Sequence, residues 1–455
     1  MRIHVAFCLL LLTAPGLHGQ PPMTLAQVVE GALKNYPAVR VSQEQLAAAA
    51  AGIQLARTAY LPRVDAVAQA NRATRNNVFG MVLPQSTIPS MSGPVIGSNN
   101  FGTAWGSALG VLVTWEPFDF GLRRANIAAA EAGRAESQAT LKRTQFEVAA
   151  AAADACMTLL AATETMRAAQ AAVDRGDTVA QTIHVLVNAQ LRPGADASRA
   201  DAELAAARTQ FIQARQTADI ARANISRFLG VEPSTISLTA PKLLQLPPDA
   251  APAPADPSAN PIVAQQNAAV EQARAQLRAL ERSYFPRFYL EGAAYARGTG
   301  AETDGRILGG FNGLAPNTQN YGLGLTVAFP AGDLPALQAR EAAQSATVRA
   351  EAARAQQIAA DLRAQWNAAV ATLTGGRSAA ANTPIQVAAA RAAAQQAEAR
   401  YRSGLGNIDE VAEAQRLLAQ AEIDDALARL GVWRALLSVA TAAGDLEPFL
   451  AEASQ

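Results

Sequence analysis

Hydrophobic and polar residues alternate along the chain with two different periods, and the order of these periods repeats. Residues 61–72 place apolar side chains at every second position, with polar side chains between them, which predicts a β-strand with one polar face. Residues 105–117, 286–297 and 320–329 have the same period of two. The segments between them have the helical period, so the pattern predicts four strands in a mainly helical chain.

Two of the helical segments are much longer than an average helix. The first, from Ala125 to Leu191, contains no proline, and a helix of that length would extend on the order of 100 Å at 1.5 Å per residue. Apolar residues recur in it every seven positions, which predicts a coiled-coil seam of Leu159, Met166, Val173, Ala180 and Val187. Each long segment ends at a glycine-containing turn and is followed by a return helix.

The same landmarks occur twice in the same order. Pro37 and Pro62 are 25 residues apart, and Pro261 and Pro286 have the same separation. Two diverged copies of one unit, each too long for a solenoid repeat, predict a fold with internal pseudo-symmetry. The predicted order is a signal peptide 1–19, a first repeat 20–230 (strands 61–72 and 105–117, helical hairpin 123–229), a proline-rich surface linker 231–260, a second repeat 261–445 (strands 286–297 and 320–329, helical hairpin 335–442) and a C-terminal tail 446–455.

The N-terminus has the pattern of an export signal. Arg2 precedes an apolar run from Val5 to Thr13, and a plausible cleavage site follows at Gly19. This run is about half the roughly 20 residues that a transmembrane helix needs, and we expect no transmembrane helix later in the chain. Cleavage would leave Cys156 as the only cysteine, which would exclude an intramolecular disulfide.

Composition argues against several classes of function. Hydrophobic residues make up 50% of the chain but aromatic residues only 5%, because alanine is abundant, and alanine favours closely packed helices over a thick core. The net charge is zero, so no basic surface is available for nucleic acid. His184 would be the only histidine of the processed chain, and Gly322–Leu323–Gly324 lacks the third glycine of a dinucleotide loop. We therefore expect no enzyme activity, no metal site and no cofactor.

From residue 23 to about residue 450, the chain resembles the TolC family of outer membrane efflux proteins. The resemblance is carried by the strand starts Tyr60–Leu61–Pro62 and Phe285–Pro286, the strand exit Pro117–Phe118–Asp119–Phe120–Gly121, and the turn Tyr401–Arg402–Ser403–Gly404 with Glu410–Val411–Ala412–Glu413–Ala414–Gln415 after it. It implies a mainly α fold with a β-barrel part, built as a homotrimer. Four strands from each protomer would form an outer-membrane barrel of about 12 strands. The long helices would form a periplasmic α-helical barrel, with the linker at its equatorial region.

The resemblance also implies a function without chemistry. The protein would be a passive exit duct in the cell outer membrane, in contact with lipid and extending into the periplasm. A periplasmic adaptor (membrane fusion protein) would connect it to an inner-membrane pump of the RND or ABC type. The alternative is a soluble periplasmic coiled-coil scaffold or adaptor, but an adaptor needs a lipoyl-like or small β-barrel domain that the sequence does not show. Drug or metal efflux and type I protein secretion both stay open.

The resemblance places the tip that docks the adaptor at the two glycine turns. The predicted contact residues are Leu191, Gly194, Gly404 and Leu405. The alternative is that each glycine only ends its helix in the left-handed conformation. The first turn departs from the family pattern, because Arg192–Pro193 replaces the commoner Arg-Tyr-type pair.

The resemblance also places a ring of acidic residues at the periplasmic aperture. The candidates are Asp409, Glu410 and Glu413, which follow the second turn. Threefold symmetry would bring their charges together, which would raise the carboxylate pKa values and attract cations. The alternative is an ordinary solvated helix face.

Overall fold

The computed structural model describes residues 22–74, 102–249, 257–302 and 306–454. The predicted signal peptide and residues 75–101, between the first two predicted strands, lie outside these residues. The described helices are α1 Leu25–Asn35, α2 Pro37–Thr58, α3 Leu122–Asn188, α4 Gly194–Leu229, α5 Pro261–Arg282, α6 Leu334–Arg402, α7 Ile408–Ala443 and α8 Glu447–Ser454. The strands are β1 Arg63–Thr74, β2 Thr103–Phe118, β3 Arg287–Thr299 and β4 Thr318–Ala328. The predicted mainly helical fold with a small sheet is confirmed.

Local sequence explains where the helices begin. Thr24 forms a capping box with Gln27: its Oγ1 accepts from the Gln27 N–H at 3.3 Å, and its own N–H donates to Gln27 Oε1 at 2.9 Å. Pro37 and Pro261 are the first residues of α2 and α5, where a missing N–H costs no hydrogen bond. The longest helix, α6, has 69 residues and continues through Pro384.

The four strands form one antiparallel sheet in the order β1-β2-β3-β4. The register aligns Val64 with Val113, Val113 with Gly292, and Gly292 with Leu323. Because side chains alternate between faces, this register collects apolar side chains on one face of all four strands. These exposed residues include Val64, Leu109, Val111, Trp115, Leu290, Tyr321, Leu323, Leu325 and Val327. The opposite face carries Asp65, Gln69, Tyr289, Glu291, Tyr295, Arg297 and Asn320.

The chain divides into two compact units, and each unit takes matching parts of both repeats. Unit 1 comprises the described parts of Met1–Glu44, Ala139–Gln265 and Ala355–Gln455, and unit 2 comprises those of Gln45–Gln138 and Gln266–Arg354. All four strands belong to unit 2. The sequence repeats are therefore not the units in which the chain packs.

The main core lies in unit 1 and is rich in alanine. Its fully buried residues come from α1, α3, α4 and α7, and they include Val28, Ala32, Ala152, Ala153, Ala218, Ile225 and Trp433. The proline-rich linker is not confined to the surface, because Ile236 and Leu243 are buried in this core and Gln245 accepts a hydrogen bond from Trp433 Nε1 at 2.8 Å. The segment assigned to a C-terminal tail contains α8, whose Phe449 packs edge-on against Trp433.

By length and composition alone, α3 and α7 each contain an 18-residue stretch apolar enough to cross a membrane. A buried core helix meets the same criteria, so the expectation that no transmembrane helix follows the signal peptide stays a prediction. Half of the α3 stretch is buried inside the chain's own packing, as in a core helix of a soluble protein. The abundance of alanine explains the result, since alanine is apolar without filling much volume.

Candidate functional site

The first candidate turn connects α3 to α4. Gln190 has a left-handed φ of 61°. Its N–H donates to the Val187 carbonyl at 2.9 Å, and the Leu191 N–H donates to the Leu186 carbonyl at 2.9 Å. These two bonds form a Schellman motif in which Gln190 is the left-handed residue. Gly194 begins α4 without a positive φ, so the alternative that it ends a helix in the left-handed conformation is wrong.

The second turn uses the same motif to connect α6 to α7. Gly404 is left-handed with a φ of 82°, and its N–H donates to the Tyr401 carbonyl at 3.1 Å. The Leu405 N–H donates to the Arg400 carbonyl at 2.8 Å. Asn407 then caps α7 by accepting from the Glu410 N–H at 2.8 Å. For Gly404 the helix-ending role therefore holds.

Leu191 and Leu405 occupy equivalent positions in the two motifs, directly after the left-handed residue. A hydrophobic residue there often packs back onto its own helix. Here the two side chains are 68% and 74% exposed, so neither does. The structure thus presents two matched, uncovered leucines, one on each turn.

Three side chains connect the two turns. The Tyr401 hydroxyl donates to Asp196 Oδ2 at 2.7 Å. The Arg192 guanidinium lies 4.3 Å from the centre of the Tyr401 ring and donates to the Tyr401 carbonyl. We call Arg192, Asp196 and Tyr401 the turn clamp. In the sequence, Tyr401 marks the second turn and Arg192 departs from the family pattern, and neither feature indicates this connection.

Tyr401 is the buried member of the turn clamp, with 2% of its surface exposed. Burial and the hydrogen bond to Asp196 raise the pKa of Tyr401 to about 12. The phenol therefore stays protonated at neutral pH and keeps its role as a hydrogen-bond donor.

Each of the three aperture candidates has an arginine partner in the same chain. Asp409 lies 3.5 Å from Arg199, Glu410 lies 3.7 Å from Arg400, and Glu413 lies 3.3 Å from Arg416. Arg416 also contacts Glu203 at 3.6 Å. All three acidic side chains are exposed, so each pair contributes little to stability. The arginines nevertheless offset the acidic charge of the three candidates.

A groove lies beside the second turn, between α3, α4 and α7. Its volume is about 400 Å³, and its lining includes Gly176, Leu204, Val411 and Ala412, with Glu203 and Arg416 among its polar residues. Nearby, His184 of α3 and Asp201 of α4 form an exposed hydrogen bond, with 2.8 Å between Nε2 and Oδ1.

A second cluster fixes the exit from β2 in unit 2. Asp119 and Arg123 are 7% and 5% exposed. Asp119 Oδ2 accepts from Arg123 Nε at 2.8 Å and from the Arg123 N–H at 2.7 Å, and its Oδ1 accepts from the Gly121 N–H. Burial would raise the pKa of Asp119, but these hydrogen bonds hold the pKa below its ordinary value. Phe120, with a left-handed φ of 49°, stacks on Phe285.

The strand-exit cluster also holds the start of β1. Arg123 lies 4.6 Å from the centre of the Tyr60 ring and donates to the Ala59 carbonyl at 3.2 Å. A buried, paired arginine thus connects the end of α2 to the start of α3, beside the sheet.

Comparison with known proteins agrees with this geometry. The model of one protein family, described as outer membrane efflux protein, matches residues 28–231 and 258–445. Among solved structures, the outer-membrane channel OprN superposes with a TM-score of 0.71 at 22% identity, covering 92% of this chain and 89% of that one. Among curated protein sequences, none matches this chain.

Two further channels have the same fold. The CmeC outer membrane channel of Campylobacter jejuni gives a TM-score of 0.74 at 14% identity, covering 92% of this chain and 85% of that one. The open state of the MtrE outer membrane channel of Neisseria gonorrhoeae gives 0.70 at 18% identity, covering 92% and 89%. At these identities the structural matches establish the fold.

Proposed function

Because this chain belongs to the outer membrane efflux protein family, it serves as an exit duct in the outer membrane, and we propose that it does so as a homotrimer joined to an adaptor and a pump. The family is one of passive channels and not of enzymes. The sheet supports the membrane-spanning role, since its apolar face is exposed on all four strands and its other face is polar. This two-faced sheet is the observation that carries the proposal.

The sheet edges support the homotrimer. Within the described residues, β1 pairs only with β2 and β4 pairs only with β3, so each has an edge without a partner strand. Exposed edges bind other strands, and closing a sheet into a barrel removes them. In lipid this closure is required, because unpaired backbone groups have no water to bind. Three copies joined edge to edge would give a barrel of about 12 strands.

The two turns are proposed as the docking tip for a periplasmic adaptor. Leu191 and Leu405 are exposed at matching positions, and exposed apolar side chains in such a pair suit a helical partner surface. Gly194 and Gly404 have no side chains, which leaves the backbone at these two positions open to a partner. The inner-membrane pump, of the RND or ABC type, would supply the energy through the adaptor, and its type decides between efflux and type I secretion.

The turn clamp and the acidic residues are proposed to control the periplasmic aperture. The clamp joins the α3–α4 turn to the α6–α7 turn, so the two turns move together while the Tyr401–Asp196 bond is made. Asp409, Glu410 and Glu413 would then face the aperture with their arginine partners. Passing ions would therefore meet both acidic and arginine side chains at the aperture.

The first test is the extraction and mass of the signal-processed protein. We expect a species of about three protomers that leaves outer membranes only with detergent, as a closed barrel requires. A water-soluble monomer or dimer from the periplasm would overturn the channel and favour a coiled-coil scaffold. A detergent-soluble monomer would overturn the homotrimer alone.

A further inference from the structure

An apolar recess interrupts the exposed apolar face of the sheet. Its volume is about 440 Å³, and it is lined by Pro62, Val113, Trp115, Leu290, Gly292 and Leu323. All six residues belong to unit 2, and no charged side chain is among them. We call it the sheet recess.

Gly292 creates the sheet recess. Its register partners are Val113 on one side and Leu323 on the other. A Cβ atom built at Gly292 would lie 4.0 Å from both Val113 Cβ and Leu323 Cδ1, which is ordinary contact distance. A Cβ atom therefore fits there without a clash, and its absence leaves the space open. Glycine inside a strand often marks a place where a ligand approaches closely.

Trp115 forms one wall of the recess and is held in place. Its Nε1 donates to the Tyr60 carbonyl at 3.1 Å, so the indole is anchored to the chain just before β1. A fixed wall keeps the recess open, because the ring cannot turn to fill it without losing this bond.

The recess lies near the end of the sheet from which the helices continue. β1 and β3 begin after α2 and α5, while β2 and β4 end before α3 and α6. These four strand termini therefore lie at the same end of the sheet. The protein extends from the outer membrane into the periplasm, so this end of the sheet lies in the periplasmic leaflet, which consists of phospholipid. A recess on the lipid-facing side there is continuous with the lipid contact surface.

We propose that the sheet recess binds one acyl chain of a phospholipid from the periplasmic leaflet, one lipid for each protomer. An acyl chain needs no hydrogen-bond partner, and the recess lining offers none of the charged groups that a headgroup would need. Filling the recess with a chain restores the contacts that the missing side chain leaves unmade. The inference rests on the outer-membrane location and needs neither the adaptor nor the aperture.

The test is native mass spectrometry of the full chain purified from outer membranes, with Gly292→Leu as the variant. Gly322→Leu is the matched control, because Gly322 lies on the polar face of β4 and a Cβ there meets no atom within 4 Å. We expect the wild type and Gly322→Leu to retain one phospholipid-sized adduct per protomer. Gly292→Leu should lower its occupancy at least about tenfold. The oligomer mass, read in the same spectra, reports separately on the proposed assembly.

Three results would overturn the proposal: no phospholipid adduct on the wild type, equal retention by Gly292→Leu, or adducts with the mass of lipopolysaccharide or detergent instead. A second measurement needs no change at Gly292. Protein in vesicles of phospholipid brominated on the acyl chain should show quenched Trp115 fluorescence, taken as the difference between wild type and Trp115→Phe. An unquenched difference spectrum would also overturn it.

Discussion

The Tyr401 hydroxyl donates a 2.7 Å hydrogen bond to the Asp196 carboxylate, although 205 positions separate the two residues in the chain. Tyr401 lies in the last turn of α6 and Asp196 in the first turn of α4, so one bond joins the ends of two long helical hairpins. Because Tyr401 is buried and its hydroxyl bonds to an acidic group, breaking the bond leaves a poorly solvated polar group behind.

Removing this bond should loosen the periplasmic tip. We expect Tyr401→Phe to raise the open probability or conductance of single channels in planar bilayers, because a hydrogen bond to a charged group contributes about 1.5–3 kcal/mol. Asp196→Ala, which removes the acceptor, should have a similar effect, and the double variant should add little to either single change. Tyr36→Phe, on a ring that packs against Phe228 in the core, is the control. Unchanged conductance in both single variants would contradict the proposed role of the clamp.

The strand-exit pair should matter more for stability than an exposed pair. Asp119→Asn leaves Arg123 buried without its charged partner, and we expect a loss of about 3–5 kcal/mol in thermal unfolding of the detergent-solubilised protein. Asp65→Asn breaks the exposed pair with Arg63, whose atoms are 2.8 Å apart, and should cost less than about 1 kcal/mol. Equal effects of the two changes would count against a structural role for the buried pair.

The same pair predicts a dependence of stability on pH. The pKa of Asp119 in the folded protein is lowered from the ordinary 3.8. The contribution of Asp119 to stability is therefore complete above pH 3.8 and is lost as the pH falls through the lower pKa of the folded state. Wild-type protein should therefore lose more stability than Asp119→Asn during acidification below about pH 4.

The two turn glycines should respond differently to alanine. Gly404→Ala forces a Cβ into a left-handed backbone and should destabilise the second turn by about 1–2 kcal/mol. Gly194→Ala should be neutral or slightly stabilising, because Gly194 has an ordinary helical start and a Cβ there meets nothing within 4 Å. Gln190→Gly should relieve strain in the first turn. Hydrogen exchange of the turn amides measures all three, and faster exchange in Gly194→Ala would contradict the assignment of Gln190 as the left-handed residue.

The exposed turn leucines should be the contacts of an adaptor. A photo-crosslinking amino acid at Leu191 or Leu405 is expected to capture a periplasmic protein of the membrane fusion class in cells, since both side chains are uncovered. Ile385, an exposed apolar residue on α6 away from the turns, is the matched control position. Crosslinks of equal yield at Ile385, or none at either leucine, would argue against docking at the turns.

The acidic residues should favour cations if they face the aperture. We expect Glu410→Ala with Glu413→Ala to lower cation selectivity, measured as the reversal potential in a salt gradient. Arg400→Ala removes the partner of Glu410 and should shift the reversal potential the opposite way. If neither change alters conductance or selectivity, these residues form an ordinary solvated surface.

Much of the fold follows from local patterns in the sequence. Alternation located all four strands to within about two residues, and Pro37, Pro261 and Gly404 located helix ends, since proline and glycine act on the backbone where they occur. The alternative of a left-handed Gly194 is wrong, because Gln190 is the left-handed residue and a glutamine gives no compositional sign of that conformation. The turn clamp and the arginine partners of the acidic residues depend on contacts between distant segments, which one sequence does not specify.

Each unit combines segments that are far apart in the chain, and this has a consequence for biogenesis. The first two strands are translated before β3 and β4, and the middle segment of unit 1 separates the two pairs in the chain. Until residue 299 has crossed the inner membrane, β2 lacks β3, one of its two neighbours, and the sheet is complete only after residue 328. During secretion the apolar strands β1 and β2 are therefore exposed over a long stretch of translation, and we expect the precursor to be prone to aggregation until β3 and β4 have followed.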